Sequence, residues 1–368
     1  MEGDAARGVP VREGANIPIR NLFHMLSYAF QALRQGEYER LATEDFEHVH
    51  DLLAAILALG IGRQLKQGLH REYVAREEEL ATLRGKIDVA GTVAARLARR
   101  RAIACEYDEL SEDNPLNQAI KATCLLLIRH GRVKDKNRNA LRREMPYFSG
   151  VEDVDPAQIR WDSFRFSRGD RSYRMLISIC QLVIEGMMLT TREGEHRLAQ
   201  FIDDQHLHRL YEKFILNYYD QEHRELSATA PQIPWALDDG ESAMLPTMWS
   251  DITLARKDDP NRVLIIDAKF YNSSTQGRYE TRTVRSNNLY QIFTYVKNRD
   301  AGFGDRPHEV CGMLLYARTN EAVQPDQSYQ MSGNRIDVRT LDLNRDFTEI
   351  AATLDGIAED HFARKGES

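Results

Sequence analysis

The sequence predicts two mixed α/β bodies. Three observations carry that expectation: a length of 368 residues, an element order that becomes regular near residue 200, and strand-like apolar runs that alternate with helical patterns after it. A chain this long exceeds what one hydrophobic core usually organises. Hydrophobic residues make up 42% and charged residues 29%, as in ordinary soluble globular proteins, so disorder is expected only toward the ends. The opening Met-Glu-Gly-Asp carries acid rather than base and is followed by no apolar core, which argues against a secretory signal. The longest apolar stretch, residues 52–61, is about half of a bilayer-spanning helix. A cytoplasmic location follows as the expectation.

After a mobile start over residues 1–15, Asn21 is placed to cap a helix reaching about residue 34, with Leu22, Met25, Leu26 and Ala29 at helical spacing. A second helix is expected over 43–59, apolar at Leu52, Leu53, Ile56 and Leu57. Short strands follow at 73–80, 85–89 and 102–107, interrupted by a basic helical stretch at 91–100. Helices at 115–131, 134–144 and 170–187 complete the first half. Cysteines 105, 124, 180 and 311 show neither CxxC spacing nor grouping with histidines, so buried free thiols are expected rather than zinc or disulfides.

The second half reads α, several β, α, β and a closing α, an order that implies a mixed sheet. A helix is expected over 203–223, then short strands at 226–236 and strands at 248–255 and 262–270. A helix at 286–297, strands at 309–318 and 329–341, and a helix at 346–364 follow. The boundary falls near 190–202. This divides the chain into residues 16–200 and 201–368.

A formal charge of −7 exerts no general pull on a polyanion, so nucleic-acid contacts would have to come from local basic patches. Arg96, Arg99, Arg100 and Arg101 form one run. Arg129, Arg132, Lys134, Lys136, Arg138, Arg142 and Arg143 form another. Such runs are more often solvated helix faces.

The most informative segment runs from Trp249 to Phe270. Its turn signal Asp258-Asp259-Pro260-Asn261 separates two β-like stretches. Asp251 and Asp267 are equidistant from Asp259, so antiparallel pairing about that turn sets them opposite each other on one face. Facing carboxylates repel, and the apolar run Val263-Leu264-Ile265-Ile266 leads Asp267 into a buried strand. Strand alternation brings Lys269 onto the same face and turns Ala268 away. Two carboxylates and an ammonium then converge.

Hard oxygen ligands of this kind suit Mg²⁺, with Mn²⁺ a possible substitute, and the Ala268 carbonyl offers one more oxygen. A lone D-x-K is more simply a salt bridge at a strand end. The register and the buried strand favour a metal-dependent phosphodiesterase. Gln291 and Tyr295, four apart on one helix face, are placed to position phosphate or the lysine. Glu212 on the preceding helix offers a further carboxylate. Arg278, Arg282 and Arg285 lie in an expected polar loop over 271–285, suited to a DNA backbone.

At this point the sequence resembles the McrC subunits of McrBC modification-dependent restriction systems. The resemblance runs through Ile17-Pro-Ile-Arg-Asn-Leu-Phe-His-Met-Leu-Ser-Tyr-Ala29, Arg84-Gly-Lys-Ile-Asp88, Asp108-Glu-Leu-Ser-Glu-Asp-Asn-Pro-Leu-Asn117, Leu210-Tyr-Glu-Lys-Phe214, Asp251-Ile-Thr253, Ile266-Asp-Ala-Lys-Phe-Tyr271 and Asn287-Asn-Leu-Tyr-Gln291. It implies a C-terminal PD-(D/E)xK restriction-endonuclease-like domain whose acids and lysine fall on Asp251, Asp267 and Lys269. It also implies an N-terminal domain that docks into, and stimulates, an AAA+ GTPase ring resembling McrB that recognises methylated cytosine. No GxxxxGK[ST] loop occurs in this sequence, so GTP is expected to be used by the partner. Double-stranded DNA is the expected substrate, with two copies meeting to cut both strands. A non-enzymatic activator of the ring and a free-standing nuclease are the alternatives.

Overall fold

The computed structural model describes residues 17–363 other than 167–168, 193–203, 272–274, 279–280 and 320. The expected mobile start lies outside the described residues. Two units emerge, one of Met1–Glu47 with Leu189–Ser368 and the other of His48–Met188.

This division corrects the expected one, because the first helix belongs with the C-terminal half. Helix α1 (Ile19–Ala29) buries Leu22, Phe23, Met25 and Leu26. The Asn21 amide donates to the carbonyls of Leu343 and Arg345 at 2.8 and 2.7 Å. Tyr28 donates to Glu222 at 2.8 Å and packs its ring on Phe214 and Phe347. Asn21 is therefore not the helix cap. Pro18 occupies that position, and the chain beyond Ala29 tightens into 3₁₀ turns at Gln31–Arg34 and Gly36–Thr43 instead of continuing the helix.

The unit of residues 48–188 starts with α2 (Val49–Leu65), which buries the four expected apolar positions. Strands β1 (Glu72–Leu80), β2 (Lys86–Ile87) and β3 (Ile103–Ser111) form an antiparallel sheet in the order β1-β3-β2, with α3 (Val89–Leu97) between β2 and β3. Helices α4 (Pro115–His130), α5 (Asp135–Glu144) and α6 (Arg171–Arg192) follow.

The Asn-Pro-Leu-Asn segment has a structural explanation here. Asn114 caps α4 by accepting from the Asn117 N–H, and Pro115 takes the first helical position. Both amide side chains then donate to the carbonyl of His70 at 2.9 Å. Tyr173 donates to Asn117 Oδ1, also at 2.9 Å. This network fixes the foot of β1 against α4. Buried Asp51 similarly holds the start of α5, accepting from the Lys134 N–H and the Asn137 amide. All four cysteines are buried and free.

In the other unit α7 (Asp204–Glu222) leads into β4 (Leu226–Thr229), β5 (Gln232–Ile233), β6 (Met248–Trp249), β7 (Ile252–Arg256) and β8 (Arg262–Lys269). Then come β9 (Thr275–Arg278), β10 (Thr281–Val284), α8 (Ser286–Ala301), β11 (Glu309–Ala317), β12 (Gln327–Met331), β13 (Asn334–Leu341) and α9 (Phe347–Phe362). The six-stranded sheet has the order β12-β13-β11-β8-β7-β4. Its centre, β8-β11-β13, is parallel and its flanks are antiparallel.

Two expectations change. The polar loop over 271–285 contains the paired strands β9 and β10, because Thr281, Thr283 and Val284 supply β-branched positions that its polarity concealed. The single strand at 329–341 is a hairpin turning at Ser332-Gly333, where φ is 48° and 92°. Positive φ at both positions matches a tight hairpin turn.

Helix α8 covers one sheet face through Ile292 and Val296, packed with Val263, Ile265, Leu314, Ile336 and Val338. The approach is close enough that a Cβ at Gly312 would stand 2.6 Å from Val296. Helices α7 and α9 share the other face, joined by bonds from Tyr219 to the Leu354 carbonyl and from Tyr218 to Asp355. Among the described residues no helix is long and apolar enough to cross a membrane.

Asp337 anchors α9 to the sheet. It is fully buried, accepts from Arg335 Nε at 3.0 Å, and lies 3.0 Å from His361 Nε2. Burial alone would raise its carboxyl, but the hydrogen bonds from His361 and Arg335 outweigh that and hold it well below the carboxylate range. Because the folded-state value is depressed, this contribution is complete above the unfolded carboxyl's pKa of about 4 and is lost as pH falls further. Asp337→Ala is expected to cost about 3–5 kcal/mol at neutral pH. Denaturant unfolding of both proteins should show the difference shrinking only in strong acid.

Candidate active site

The antiparallel pair β7-β8 sets Ile252 opposite Ile266 and Ala255 opposite Val263. One step further along this register places Asp251 opposite Asp267, as the turn at Asp259 predicts. The Ala268 N–H donates to Asp251 Oδ2 at 2.9 Å, tying the first acid to the strand of the second. Val263 and Ile265 face α8, so strand alternation puts Asp267 and Lys269 on that same side.

Asp267 is fully buried and Lys269 nearly so, and the ammonium lies 2.9 Å from each of its carboxylate oxygens. Only Oδ1 accepts a hydrogen bond from it. Oδ2 is buried with no hydrogen-bond partner among the described residues. Lys269 thus contacts Asp267 directly and acts on Asp251 only through its charge. Burial raises the Asp267 carboxyl, and Lys269 only partly offsets this. Burial, then the charges of Asp267 and Glu212, push Asp251 up to about 8. Burial works against the Lys269 ammonium, yet the two acids outweigh it and hold its pKa above the ordinary value. The cluster is short of positive charge.

The residues fit a hard divalent cation on this account, because a buried carboxylate with an unsatisfied oxygen, facing a second, half-buried carboxylate, is what such an ion would complete. Among the described residues, no three His, Cys, Asp or Glu side chains converge closely enough to hold a metal alone. The candidate set is therefore the Asp251–Asp267 pair with the Ala268 carbonyl. Glu212 stands at its edge: its Oε1 lies 3.0 Å from His208 Nε2, while its charge is felt at Asp251.

Gln291 and Tyr295 come together, with the amide donating to the phenol oxygen at 2.8 Å. Burial raises the Tyr295 hydroxyl, and the charges of Asp267 and Asp251 add to this. Arg278 and Arg282 lie on β9 and β10, and their side chains are outside the described residues. Arg285 precedes α8 with its guanidinium 4.6 Å from the Tyr271 ring centre.

Sequence reasoning passed over His208, Asn288 and Tyr316. Tyr316 lies opposite Lys269 across the parallel pair β8-β11 and accepts from Asn288 at 2.9 Å. No spacing rule links residues 269 and 316. His208 does sit four residues before Glu212, a spacing visible in the sequence.

The family model described as "McrBC 5-methylcytosine restriction system component" matches residues 11–317 of this chain. The chain is 25% identical over 349 residues to the "Type IV methyl-directed restriction enzyme EcoKMcrBC" of Escherichia coli K12, covering 94% of this chain and 98% of that protein. Among solved structures it is similar to a chain in a half-complex from the tetradecameric assembly of Thermococcus gammatolerans McrB AAA+ hexamers with bound McrC. That match has 17% identity and a TM-score of 0.47, covering 92% of this chain and 76% of that one. A second similar chain, from the McrBC complex of the same organism, has 21% identity and a TM-score of 0.40, with 56% and 59% covered.

The crowded acids predict a stability cost. A carboxyl whose folded-state pKa is raised stabilises the fold below its unfolded value, and that stability is lost as pH rises toward 8. Asp251→Asn, which imitates the neutral acid, is expected to unfold at higher denaturant concentration than wild type. The gain should be about 1–3 kcal/mol at pH 9 in chelator, narrowing as pH falls toward 4. A variant no more stable than wild type at pH 9 would contradict the charge balance described.

Proposed function

This chain belongs to the family of McrBC 5-methylcytosine restriction system components, and from that premise we propose that it is the nuclease subunit of a modification-dependent restriction system. It would cleave DNA phosphodiester bonds with Mg²⁺ when assembled with a GTP-hydrolysing AAA+ partner, whose activity it stimulates. The observation that carries this reading is the Asp251–Asp267 pair, facing at the end of β7-β8, with Asp267 buried and held by Lys269. The relative named as a methyl-directed restriction enzyme supports the substrate class, with near end-to-end coverage.

Asp251, Asp267 and the Ala268 carbonyl would hold the cation, with Glu212 at its edge. When bound, the ion would polarise the scissile phosphate and acidify a water. Lys269, held on the acid side by Asp267, orients the attacking water and offsets negative charge that develops on the phosphate. The Gln291–Tyr295 pair would position the phosphate. Arg285, with Arg278 and Arg282, would follow the duplex backbone without reading sequence. Methyl-base recognition and GTP hydrolysis fall to the partner.

Asp267→Ala is expected to reduce cleavage of methylated plasmid by at least about 10³-fold, with partner, GTP and Mg²⁺ present, while stimulation of the partner's GTPase persists. Gel analysis and phosphate release read the two activities separately. Cleavage surviving in this variant would move the chemistry elsewhere. Replacing Arg278, Arg282 and Arg285 together with alanine should weaken DNA binding evenly across sequences and lower its salt slope by roughly one unit for each phosphate no longer neutralised. Binding isotherms at several salt concentrations measure this.

A further inference from the structure

We infer that His208 is a positioning residue for this site: seated on the backbone that follows Lys269, its ring holds Glu212 toward the acidic pair. The inference rests on the nuclease reading above and assigns a role to a residue outside the acid–lysine set.

His208 Nδ1 accepts from the Phe270 N–H at 3.2 Å. A backbone amide can only donate, so Nδ1 is the bare ring nitrogen and Nε2 carries the proton. Nε2 lies 3.0 Å from Glu212 Oε1, one turn along α7. A single imidazole therefore links the residue directly after Lys269 to the Glu212 carboxylate. Its orientation is supported from the side. The Tyr271 ring stacks on it at 6.1 Å with 16° between planes, and Arg285 lies over Tyr271.

The arrangement reaches the acids. Glu212 is among the charges acting on Asp251, and His208 among those acting on Asp267. Both side chains are about a quarter exposed, 27% and 28%, so they border open space rather than fill a core. Packing alone would not require an imidazole there. Fixing one oxygen of Glu212 on His208 leaves the other available toward the cation set, the way outer-shell partners orient ligands at metal sites.

The test uses the full chain with His208→Gln, His208→Asn and Glu212→Gln. A glutamine amide nitrogen reaches the position of Nε2 and keeps the donor to Glu212. An asparagine oxygen keeps the acceptor for Phe270 but stops short of Glu212. Calorimetric titration of Mn²⁺ into the isolated chain should show roughly 10-fold weaker binding for His208→Asn and Glu212→Gln, with His208→Gln near wild type. Cleavage with the partner should follow the same order and recover for His208→Asn at higher Mg²⁺, with thermal unfolding unchanged. Wild-type Mn²⁺ affinity in His208→Asn, or equal loss in the Asn and Gln variants with a lowered melting temperature, would overturn the role. Asp267→Ala separates the two ideas: if it abolishes cleavage while His208→Asn binds normally, only the His208 inference fails, whereas full cleavage by Asp267→Ala removes the nuclease reading itself.

Discussion

A buried aspartate on a central strand, facing a second acid across the strand pair and held by one ammonium, is the constraint on which the C-terminal architecture turns. Asp267 is carried into the interior because Val263 to Ile266 make β8 a central strand, paired to β7 on one side and β11 on the other. Asp251 is held there by the Ala268 N–H. Asp267 cannot retreat to solvent without unpairing a strand. The cost of the arrangement is spread over the surrounding packing: α8 lies tight against β11 over Gly312, and α7 and α9 brace the opposite face. A cluster that repels itself persists only where the scaffold is rigid enough to over-determine it.

Legibility in the sequence followed the range of the interaction. The register of β7 and β8 was readable because a turn signal and two acids are close in the chain and symmetric about Asp259. The face shared by Asp267 and Lys269 followed from strand alternation alone. The α7, α8 and α9 patterns were readable for the same local reason. What failed depended on distance. Asn21 looks like a helix cap by local rules, yet its amide serves carbonyls 322 and 324 residues away, and with it α1 moves to the C-terminal unit. Tyr316 reaches the site only through a parallel pairing that no short-range pattern encodes. The β9-β10 hairpin was hidden differently, since its polar composition reads as loop while its threonines favour strand.

The His208 contact shows how a local pattern can be visible and still lack meaning. Histidine and glutamate one turn apart are ordinary surface chemistry on a helix. They acquire significance only when the end of β8 is known to lie against α7, so that Nδ1 meets the Phe270 N–H. The backbone bond then decides which nitrogen faces Glu212. Geometry, rather than residue type, assigns the role.

Asp267 and Asp337 make the contrast between chemistry and stability explicit within one unit. Both are fully buried aspartates on strands of one sheet. Asp337 receives Arg335 and His361 on its two oxygens, and its carboxyl is held far down. Asp267 receives one hydrogen bond, from Lys269, keeps one oxygen without a hydrogen bond, and is held up. Replacing Asp337 removes an anchor, whereas neutralising the acids around Asp267 relieves a strain. A fold that neutralises one buried aspartate completely has no general difficulty in doing so. The incomplete neutralisation of the other is therefore a property of that place, and it leaves room for the positive charge that the proposed chemistry requires.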